Sequence, residues 1–194
     1  KTTKLTELPG CLIVDTEQGT IYLEGLKVSV NSLQELQQLA GALSALDAPK
    51  YKYIALDVID SIADCVEASV CAQNQVSMIS EIPYGGGYGK VREQMTTILN
   101  TFKNLTRHLI VIGHRKKSVI GNEKIEFSSS TLDLTGKLKN TIMAMADAIG
   151  YIYRDEKGVL MTSFKPTDEI EAGSRCEHLK GKEVPFEWSN IFID

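Results

Sequence analysis

The stretch YKYIALDVID, residues 51–60, decides how this chain folds. Its apolar run from Tyr51 to Leu56 shows little alternation, which is typical of a strand buried on both faces of a sheet, and it stops at Asp57. Two other runs have the same form: CLIV, residues 11–14, and HLIVIG, residues 108–113. Strands of this kind predict a parallel sheet covered by helices.

The segments around these runs supply the remaining elements. LKVSV, residues 26–30, alternates and predicts a short strand, while Asn31 or Ser32 is expected to cap a helix with a leucine stripe (Leu33, Leu36, Leu39, Leu43, Leu46). Further helices are predicted over residues 2–8, from about residue 60 to 80 with Asp60-Ser61 as the cap, and over residues 90–104 and 137–148. Residues 151–164 predict a β-hairpin that turns at Asp155–Gly158. Alternating strands and helices indicate an α/β sandwich with a mostly parallel central sheet.

Composition and charge fit one globular domain. The chain has 194 residues, 43% of them apolar, and a formal net charge of −4, which does not favour a protein coated in positive potential. The four cysteines have no metal-binding spacing and are expected to be reduced and mostly buried. No run is long enough to span a membrane, so we expect no membrane partner and a cytoplasmic location. Because the chain starts at Lys1, residues are expected upstream.

Polar residues follow each buried run. Asp15 and Glu17 come after the first run, Asp57 and Asp60 after the second, and His114 after the third. Ligands of parallel α/β sheets bind at the carboxyl ends of the strands. We therefore expect these side chains to meet at one edge of the sheet.

The opening Lys-Thr-Thr and the Asp57 strand are candidates for phosphate and metal binding. If a glycine-rich turn precedes Lys1, its ammonium would reach a polyphosphate and the Thr2 hydroxyl would bind Mg²⁺. A carboxylate after a buried strand, as at Asp57, holds Mg²⁺ in many nucleotide-binding proteins. The alternatives are an exposed Lys-Thr-Thr and an aspartate that caps a helix.

Two further strand ends carry residues suited to chemistry. Glu17, in VDTEQG, could deprotonate a water for attack on a γ-phosphate, or be a solvated turn carboxylate. His114 could sense the γ-phosphate, and the cations Arg115, Lys116 and Lys117 could contact a polyphosphate backbone. The alternative for this run is a solvated basic turn. The stretch that follows, residues 118–131, lacks helical periodicity and predicts a mobile loop, and the GGGYGK stretch from Gly85 also predicts a flexible loop.

In order and spacing, these pieces resemble the RecA-like P-loop ATPase core, and among such proteins the phage-encoded nucleotide-binding family of single-strand-annealing recombinases. The matching pieces are Lys1-Thr2, DTEQG at 15–19, Asp57, residues 84–90, His114, and the later pieces Asp133-Leu134, residues 146–150 and Gly173-Ser174-Arg175. The Walker A glycines of that pattern are not among the 194 residues and are expected upstream.

The resemblance implies roles for the matching residues. It assigns ATP binding to Lys1, Thr2, Thr3 and Asp57, with Mg²⁺ held by Thr2 and Asp57. Catalytic roles fall to Glu17 as the residue that activates water, His114 at the γ-phosphate-sensing position, and Arg175 as an arginine finger, although Arg175 could equally be a surface residue. The residues implied to contact single-stranded DNA are Tyr84, Tyr88, Lys90, Arg115, Lys116 and Lys117, in the segments 82–90 and 115–131.

The function implied is an Mg²⁺-dependent, DNA-stimulated ATPase that works on single-stranded DNA in recombination or annealing. Its implied partners are single-stranded DNA, further copies of the chain in a ring or filament, and a single-strand-binding protein, in a bacterial or phage-infected cell. The alternative is a non-catalytic protein that uses the same fold to hold nucleotide or DNA and recruit partners. A motor of the replicative-helicase type ranks below both, because the chain has no additional domain.

Overall fold

The computed structural model describes residues 2–46, 50–122 and 125–193. The chain divides into two compact units: unit 1 comprises Lys1–His114 with Leu134–Thr141, and unit 2 comprises Arg115–Asp133 with Ile142–Asp194. The expected single ATPase domain over residues 1–194 stays a prediction. No helix among the described residues is both long enough and apolar enough to cross a membrane.

Unit 1 contains a four-stranded sheet in which every pair of neighbours is parallel. Its strands are β1 (Cys11–Asp15), β2 (Leu26–Ser29), β3 (Tyr53–Asp57) and β4 (His108–Ile112), and they lie side by side in the order β2-β1-β3-β4. Every residue of β1 and β3 is buried, whereas most of the edge strand β2 is exposed. The expected α/β class with a parallel sheet is confirmed, because the unbroken apolar runs form its two central strands.

The helices of unit 1 bury apolar faces. They are α1 (Thr2–Thr6), α2 (Leu33–Ser44), α3 (Ile59–Asn74) and α4 (Gly86–Asn104), with short 3₁₀ turns at Ile79–Glu81 and Pro83–Gly85. Ser32 caps α2 as predicted, because its side chain accepts a hydrogen bond from the Glu35 backbone N–H. The predicted leucine stripe is only partly buried: Leu33 and Leu36 are in the core, whereas Leu46 is exposed beyond the end of the helix.

Two sequence predictions about helix starts are wrong. The N-cap of α3 is Val58, without a side-chain cap, so Asp60 and Ser61 lie inside the first turn and not at the cap. The glycine-rich stretch is not a flexible loop, because α4 begins at Gly86. Gly87 is buried there, and a Cβ on it would lie 2.6 Å from Ile79 Cγ1, so close packing accounts for this glycine inside a helix.

Unit 2 consists mainly of antiparallel strands. Strands β5 (Arg115–Asn122) and β6 (Ile125–Leu132) pair with each other, β7 (Ala148–Ile149) pairs with β10 (Gly173–Ser174), and β8 (Tyr151–Arg154), β9 (Leu160–Ser163) and β11 (Glu183–Pro185) form a three-stranded sheet. Helix α5 (Gly136–Met145) starts in unit 1 and ends in unit 2, and α6 (Trp188–Ile191) lies near the C-terminus.

The predicted hairpin around Asp155–Gly158 is confirmed, but the predicted mobile loop over residues 118–131 is wrong for the described part of that range, since residues 123 and 124 lie outside it. In the first, Asp155 shapes the turn, since its side chain accepts hydrogen bonds from the backbone N–H groups of Lys157 and Val159. In the second, β5 and β6 pair in register from Arg115 opposite Leu132. The sequences RKKSVIGN and IEFSSSTL have no regular alternation of apolar and polar residues, so hydrophobic periodicity did not indicate these strands.

Candidate functional site

The carboxyl ends of three strands of unit 1 lie next to one another. Asp15, the last residue of β1, is the register partner of Asp57, the last residue of β3. Asp57 is in turn the partner of Ile112, which ends β4 two residues before His114. The convergence expected from the sequence is therefore present at this edge, and the amino-terminal helix α1 contributes to it as well.

Thr2 of α1 contacts Asp57 directly. Its hydroxyl donates a hydrogen bond to Asp57 Oδ2 over 2.6 Å, although the two residues are 55 positions apart in the chain. Lys1 lies outside the described residues. Thr3 is exposed, and its carbonyl accepts a hydrogen bond from the Thr6 hydroxyl within α1. The first turn of α1 thus brings Thr2, and not Thr3, to the strand ends.

The geometry of Thr2 and Asp57 suits a hard cation. A hydroxyl has one proton and two lone pairs, so the bond to Asp57 uses the proton and leaves the lone pairs of Thr2 Oγ1 for a ligand. Asp57 is 4% exposed, and its other oxygen, Oδ1, is buried without a hydrogen-bond partner among the described residues. A buried, unpaired carboxylate oxygen is costly unless a cation or water meets it.

Thr16 joins the ends of β1 and β3. Its backbone N–H donates to the Asp57 carbonyl over 2.9 Å, and its hydroxyl accepts a hydrogen bond from the Val58 backbone N–H over the same distance. These bonds tie the residue before Glu17 to Asp57 and to the start of α3. The threonine therefore fixes where the Asp15–Gly19 turn leaves the sheet.

Asp15 organises the turn that carries Glu17. One carboxylate oxygen accepts the backbone N–H groups of Glu17 and Gly19, and the other accepts both the backbone N–H and the hydroxyl of Thr20. Burial by itself raises the pKa of Asp15, but these hydrogen bonds favour the charged form more strongly and hold the pKa below its ordinary value. Asp15 is therefore a buried anion whose charge is satisfied by the turn.

Acid should destabilise the protein partly through Asp15. Because the folded-state pKa is depressed, its contribution to the free energy of unfolding is present above the ordinary pKa of 3.8 and is lost as the pH falls through the folded-state value. Asp15→Asn places an amide opposite the Thr20 N–H and should cost about 1–3 kcal/mol at neutral pH. Urea unfolding at several pH values measures both effects. An unchanged acid limb of the stability profile in Asp15→Asn would contradict this role.

Glu17 and His114 lie close together at the same edge. The carboxylate of Glu17 accepts a hydrogen bond from the Ser61 hydroxyl over 3.4 Å and lies 3.9 Å from His114 Nδ1. Both side chains are 44% exposed, so each is open to solvent and to a ligand. The sequence expectation that these two residues meet agrees with this geometry.

Asp60 holds His114 through two hydrogen bonds. Asp60 Oδ1 accepts the His114 backbone N–H over 3.1 Å, and Asp60 Oδ2 lies 2.6 Å from Nδ1 of the ring. The side chain of Asp60 is 20% exposed. The residue expected to cap α3 instead fixes both the main chain and the imidazole at the end of β4.

Glu17, Asp60 and His114 also form a group that could hold a metal ion. Each offers one ligand atom, and these atoms all lie within 4.8 Å of one another. The Asp60 carboxylate and His114 Nδ1 already satisfy each other, however, whereas Asp57 Oδ1 has no hydrogen-bond partner among the described residues. Thr2 and Asp57 are therefore a better candidate site for a cation than this group, because the buried Asp57 Oδ1 has no hydrogen-bond partner among the described residues.

Comparison with known proteins identifies the family. A family model described as an AAA domain matches residues 1–176. The chain belongs to this AAA domain family. Searches of curated proteins and of solved structures return no match. Membership indicates a P-loop NTPase of the α/β class, and members of this family generally bind nucleotide, use Mg²⁺ and hydrolyse ATP.

The described residues fit the Mg²⁺ that the family implies. Mg²⁺ prefers oxygen ligands and is bound by one or two protein groups together with substrate phosphates and water. Thr2 Oγ1 has free lone pairs, and Asp57 supplies a negative charge with one oxygen unpaired. Thr2 and Asp57 are therefore the residues that would hold the ion, and the metal-binding role expected for them from the sequence stays a prediction.

The residues expected to contact DNA in unit 1 lie around the start of α4. Tyr84 is fully exposed and has a positive φ of 57°, and Tyr88, in the first turn of α4, is 47% exposed. The Lys90 ammonium donates a hydrogen bond to the side-chain oxygen of Asn74. Two aromatic rings and a cation thus share one short segment, although that segment is a helix start and not a loop.

The three cations after His114 start strand β5 in unit 2. Arg115 donates to the Tyr151 hydroxyl and lies over its ring at 5.7 Å from the centroid. Tyr151 in turn stacks on Tyr153. The ammonium of Lys116 pairs with Asp133 at 3.1 Å, and Lys117 is exposed. Arg115 and Lys116 are therefore already engaged within unit 2.

Arg175 lies in unit 2, next to the end of α5. Its side chain is 65% exposed, and it donates to the Ala144 carbonyl over 2.9 Å and contacts Asp147 at 3.5 Å. The backbone N–H of Arg175 also donates to the Asp147 carbonyl. These bonds fix the backbone of Arg175 and anchor its guanidinium beside the end of α5, while most of the side chain stays exposed to solvent.

The sequence placed Asp15 and Asp60 at the strand ends but did not predict the hydrogen bonds by which they hold the site together. Asp15 and Thr20 are five positions apart in the DTEQGT stretch. An aspartate at the start of a turn often accepts hydrogen bonds from the backbone N–H groups of that turn, so this stretch did indicate the role of Asp15. Asp60 and His114 were expected at the same sheet edge, but their direct hydrogen bond was not predicted, because the two residues are 54 positions apart in the chain.

Proposed function

We propose that this chain is an Mg²⁺-dependent, DNA-stimulated ATPase that acts on single-stranded DNA in recombination or annealing. The single observation that supports it best is the contact between the Thr2 hydroxyl and the Asp57 carboxylate, with Glu17 and His114 at the same strand ends. The proposal includes a three-layer, RecA-like core of the type found in phage-encoded recombinases. It also includes a cytoplasmic location in a bacterial or phage-infected cell.

The residues of the strand ends divide the work of hydrolysis. Mg²⁺ at Thr2 and Asp57 would neutralise charge on the phosphates. Glu17 accepts a proton from the attacking water as the water oxygen bonds to the γ-phosphorus and the bond to ADP breaks. His114, held by Asp60 through Nδ1, offers Nε2 as an acceptor to a hydrogen-bond donor beside the γ-phosphate, such as the attacking water. Lys1 and Thr3 bind nucleotide in this proposal.

The assembled form completes the proposal. Copies of the chain form a ring or filament, and Arg175 of one copy acts in the site of a neighbour, for which its partly exposed guanidinium is suited. Single-stranded DNA is bound through Tyr84, Tyr88 and Lys90 together with Arg115, Lys116 and Lys117. A single-strand-binding protein is a further partner.

ATP hydrolysis by the full-length protein tests this function. Phosphate release should require Mg²⁺ and rise when single-stranded DNA is added, and the rise should weaken with salt because phosphate contacts release counterions. Binding of ATP without turnover, with or without DNA, would contradict the enzyme and favour the non-catalytic binding protein. An ATP hydrolysis rate that is the same with and without single-stranded DNA would contradict the DNA-stimulated part of the proposal.

Tyr84→Ala tests the DNA-binding part separately. Stacking of a base on an aromatic ring contributes about 1–3 kcal/mol, so the dissociation constant for single-stranded DNA should rise about 5–150-fold. Alanine keeps a Cβ at the positive φ of this position, so the backbone requirement is nearly the same. Fluorescence anisotropy with a labelled oligonucleotide measures the change.

Tyr22→Ala is the matched control for Tyr84→Ala. Tyr22 is 96% exposed in unit 1 but lies outside the segments expected to contact DNA, so its loss should leave DNA affinity unchanged. Equal losses of affinity in the two variants would contradict a specific role for Tyr84.

A further inference from the structure

We propose that Asp60 is a positioning residue, which fixes the proton of the His114 ring on Nδ1 and thereby leaves Nε2 as a hydrogen-bond acceptor for the attacking water beside the γ-phosphate. This inference rests on the proposed ATPase function and deepens it. It states how Asp60 sets the tautomer and orientation of His114, the residue at the γ-phosphate-sensing position. The family match assigns no role to Asp60, and the sequence predicted only that it caps α3 and lies at the shared edge of the strand ends.

The hydrogen bonds of Asp60 define the orientation of His114. A carboxylate only accepts hydrogen bonds, so the 2.6 Å contact with Oδ2 requires the proton to be on Nδ1. Nε2 lies on the opposite side of the ring, and it bonds to none of the residues that the structure describes. The second bond, from the His114 backbone N–H to Asp60 Oδ1, prevents the strand end from turning away.

The first turn of α3 also orients Glu17. Ser61, the next residue after Asp60, donates to Glu17 Oε1 over 3.4 Å. Adjacent side chains of one helical turn thus hold both residues proposed to act on the γ-phosphate and the water. Because α3 follows directly from Asp57 and Val58, this turn is attached to the proposed metal-binding residue through the backbone.

Other roles for Asp60 fit the geometry less well. It does not cap α3, since the N-cap is Val58 and makes no side-chain cap bond. A surface ion pair alone would contribute little, but here a single, mostly buried carboxylate makes two bonds to one residue. As a metal ligand it would first have to give up His114.

Asp60→Asn removes the acceptor for the Nδ1 proton at nearly constant side-chain shape. If the amide oxygen keeps the bond to the His114 backbone, the amide nitrogen faces Nδ1 and donates to it, which moves the ring proton to Nε2. We expect kcat for ATP hydrolysis to fall about 10–100-fold, which is the typical loss when a group that orients a ligand-binding residue through a hydrogen bond is removed. KM for ATP should change less than twofold. Asp60→Glu keeps the carboxylate and should recover part of the loss.

Nitrogen-15 NMR of the histidine rings provides a readout independent of turnover. The chain has only three histidines, so a His114→Gln sample assigns the signal. At a pH at which the ring carries one proton, wild type should carry it on Nδ1 and Asp60→Asn on Nε2. Asp64→Asn, one helical turn later on the same helix, should change neither the tautomer nor kcat.

The outcomes separate this inference from the proposed function. A proton on Nε2 in wild type, or an Asp60→Asn variant with unchanged kcat, would overturn the positioning role while leaving ATP hydrolysis in place. A folded wild-type protein that never hydrolyses ATP would overturn the proposed function, and the positioning role with it. A tautomer change together with a kcat loss at constant KM is the result we predict. If Asp60→Asn fails to fold, the Asp60→Glu variant gives the decision by the same two readouts.

Discussion

Replacing Glu17 with glutamine should lower kcat for ATP hydrolysis by about 10²–10⁴-fold and leave the affinity for ATP nearly unchanged. Glutamine keeps the shape of the side chain and an oxygen that can accept the Ser61 hydroxyl, so the turn built on Asp15 is not disturbed. It removes only the negative charge that can accept a proton from water. The loss should therefore appear in the chemical step.

Single-turnover kinetics with the full-length protein measure this effect. Binding of a fluorescent ATP analogue, followed separately, shows whether affinity is retained. Glu24→Gln is the matched control, because Glu24 is an exposed glutamate of the same unit without a proposed role. Full activity in Glu17→Gln would contradict the assignment of Glu17 as the group that activates water.

Replacing Asp57 with asparagine should weaken Mg²⁺-dependent nucleotide binding by at least about 10–100-fold. Loss of groups that only support metal ligands already costs that much, and Asp57 is proposed to face the ion itself. Asparagine removes the charge, and the amide can no longer offer two acceptor oxygens to Thr2 and to the ion's shell. Turnover at limiting Mg²⁺ should then almost disappear.

The stability of Asp57→Asn distinguishes this explanation from general damage. Because Asp57 Oδ1 is buried and unpaired among the described residues, removing the charge should leave the metal-free melting temperature unchanged or raise it. Calorimetry of the metal-free protein measures that temperature, and titration with Mg²⁺ and a non-hydrolysable ATP analogue measures affinity. Asp168→Asn, an exposed aspartate of unit 2, serves as the control. Lower stability with unchanged metal affinity would contradict the metal role.

The central sheet could be predicted because its signal is local. An unbroken apolar run such as CLIV or YIAL has to be buried on both faces, and all residues of β1 and β3 are buried. Once these strands are parallel, their carboxyl ends share an edge, so the meeting of Glu17, Asp57 and His114 follows from topology alone. The contact of Thr2 with Asp57 also agrees with the roles that the resemblance implied.

The supporting contacts could not be predicted because they join distant parts of the chain. Asp60 looked like a helix cap, since aspartate near a helix start often is one, and its bond to His114 depends on how β4 lies beside β3. Ile79 packs so closely on α4 that it leaves no room for a Cβ on Gly87, which explains a glycine inside this helix. Such packing reverses the usual meaning of a glycine-rich stretch.

Strands β5 and β6 of unit 2 could not be predicted from hydrophobic periodicity. The pairing of β5 with β6 is defined by the backbone register of residues whose sequence is mostly polar, so hydrophobic alternation gave no warning of it. The engagement of Arg115 by Tyr151 likewise joins a strand of one hairpin to a strand of another. The run of cations in the sequence therefore did not reveal that Arg115 and Lys116 already bind to other side chains of unit 2.

A crystal structure of the full-length protein with Mg²⁺, ADP and a γ-phosphate mimic would show whether the nucleotide binds at these strand ends. We expect the ion to contact the Thr2 hydroxyl on the Asp57 side of the sheet edge, with Glu17 and His114 beside the mimic. Nucleotide bound at another place, with Thr2 and Asp57 contacting only each other, would contradict it.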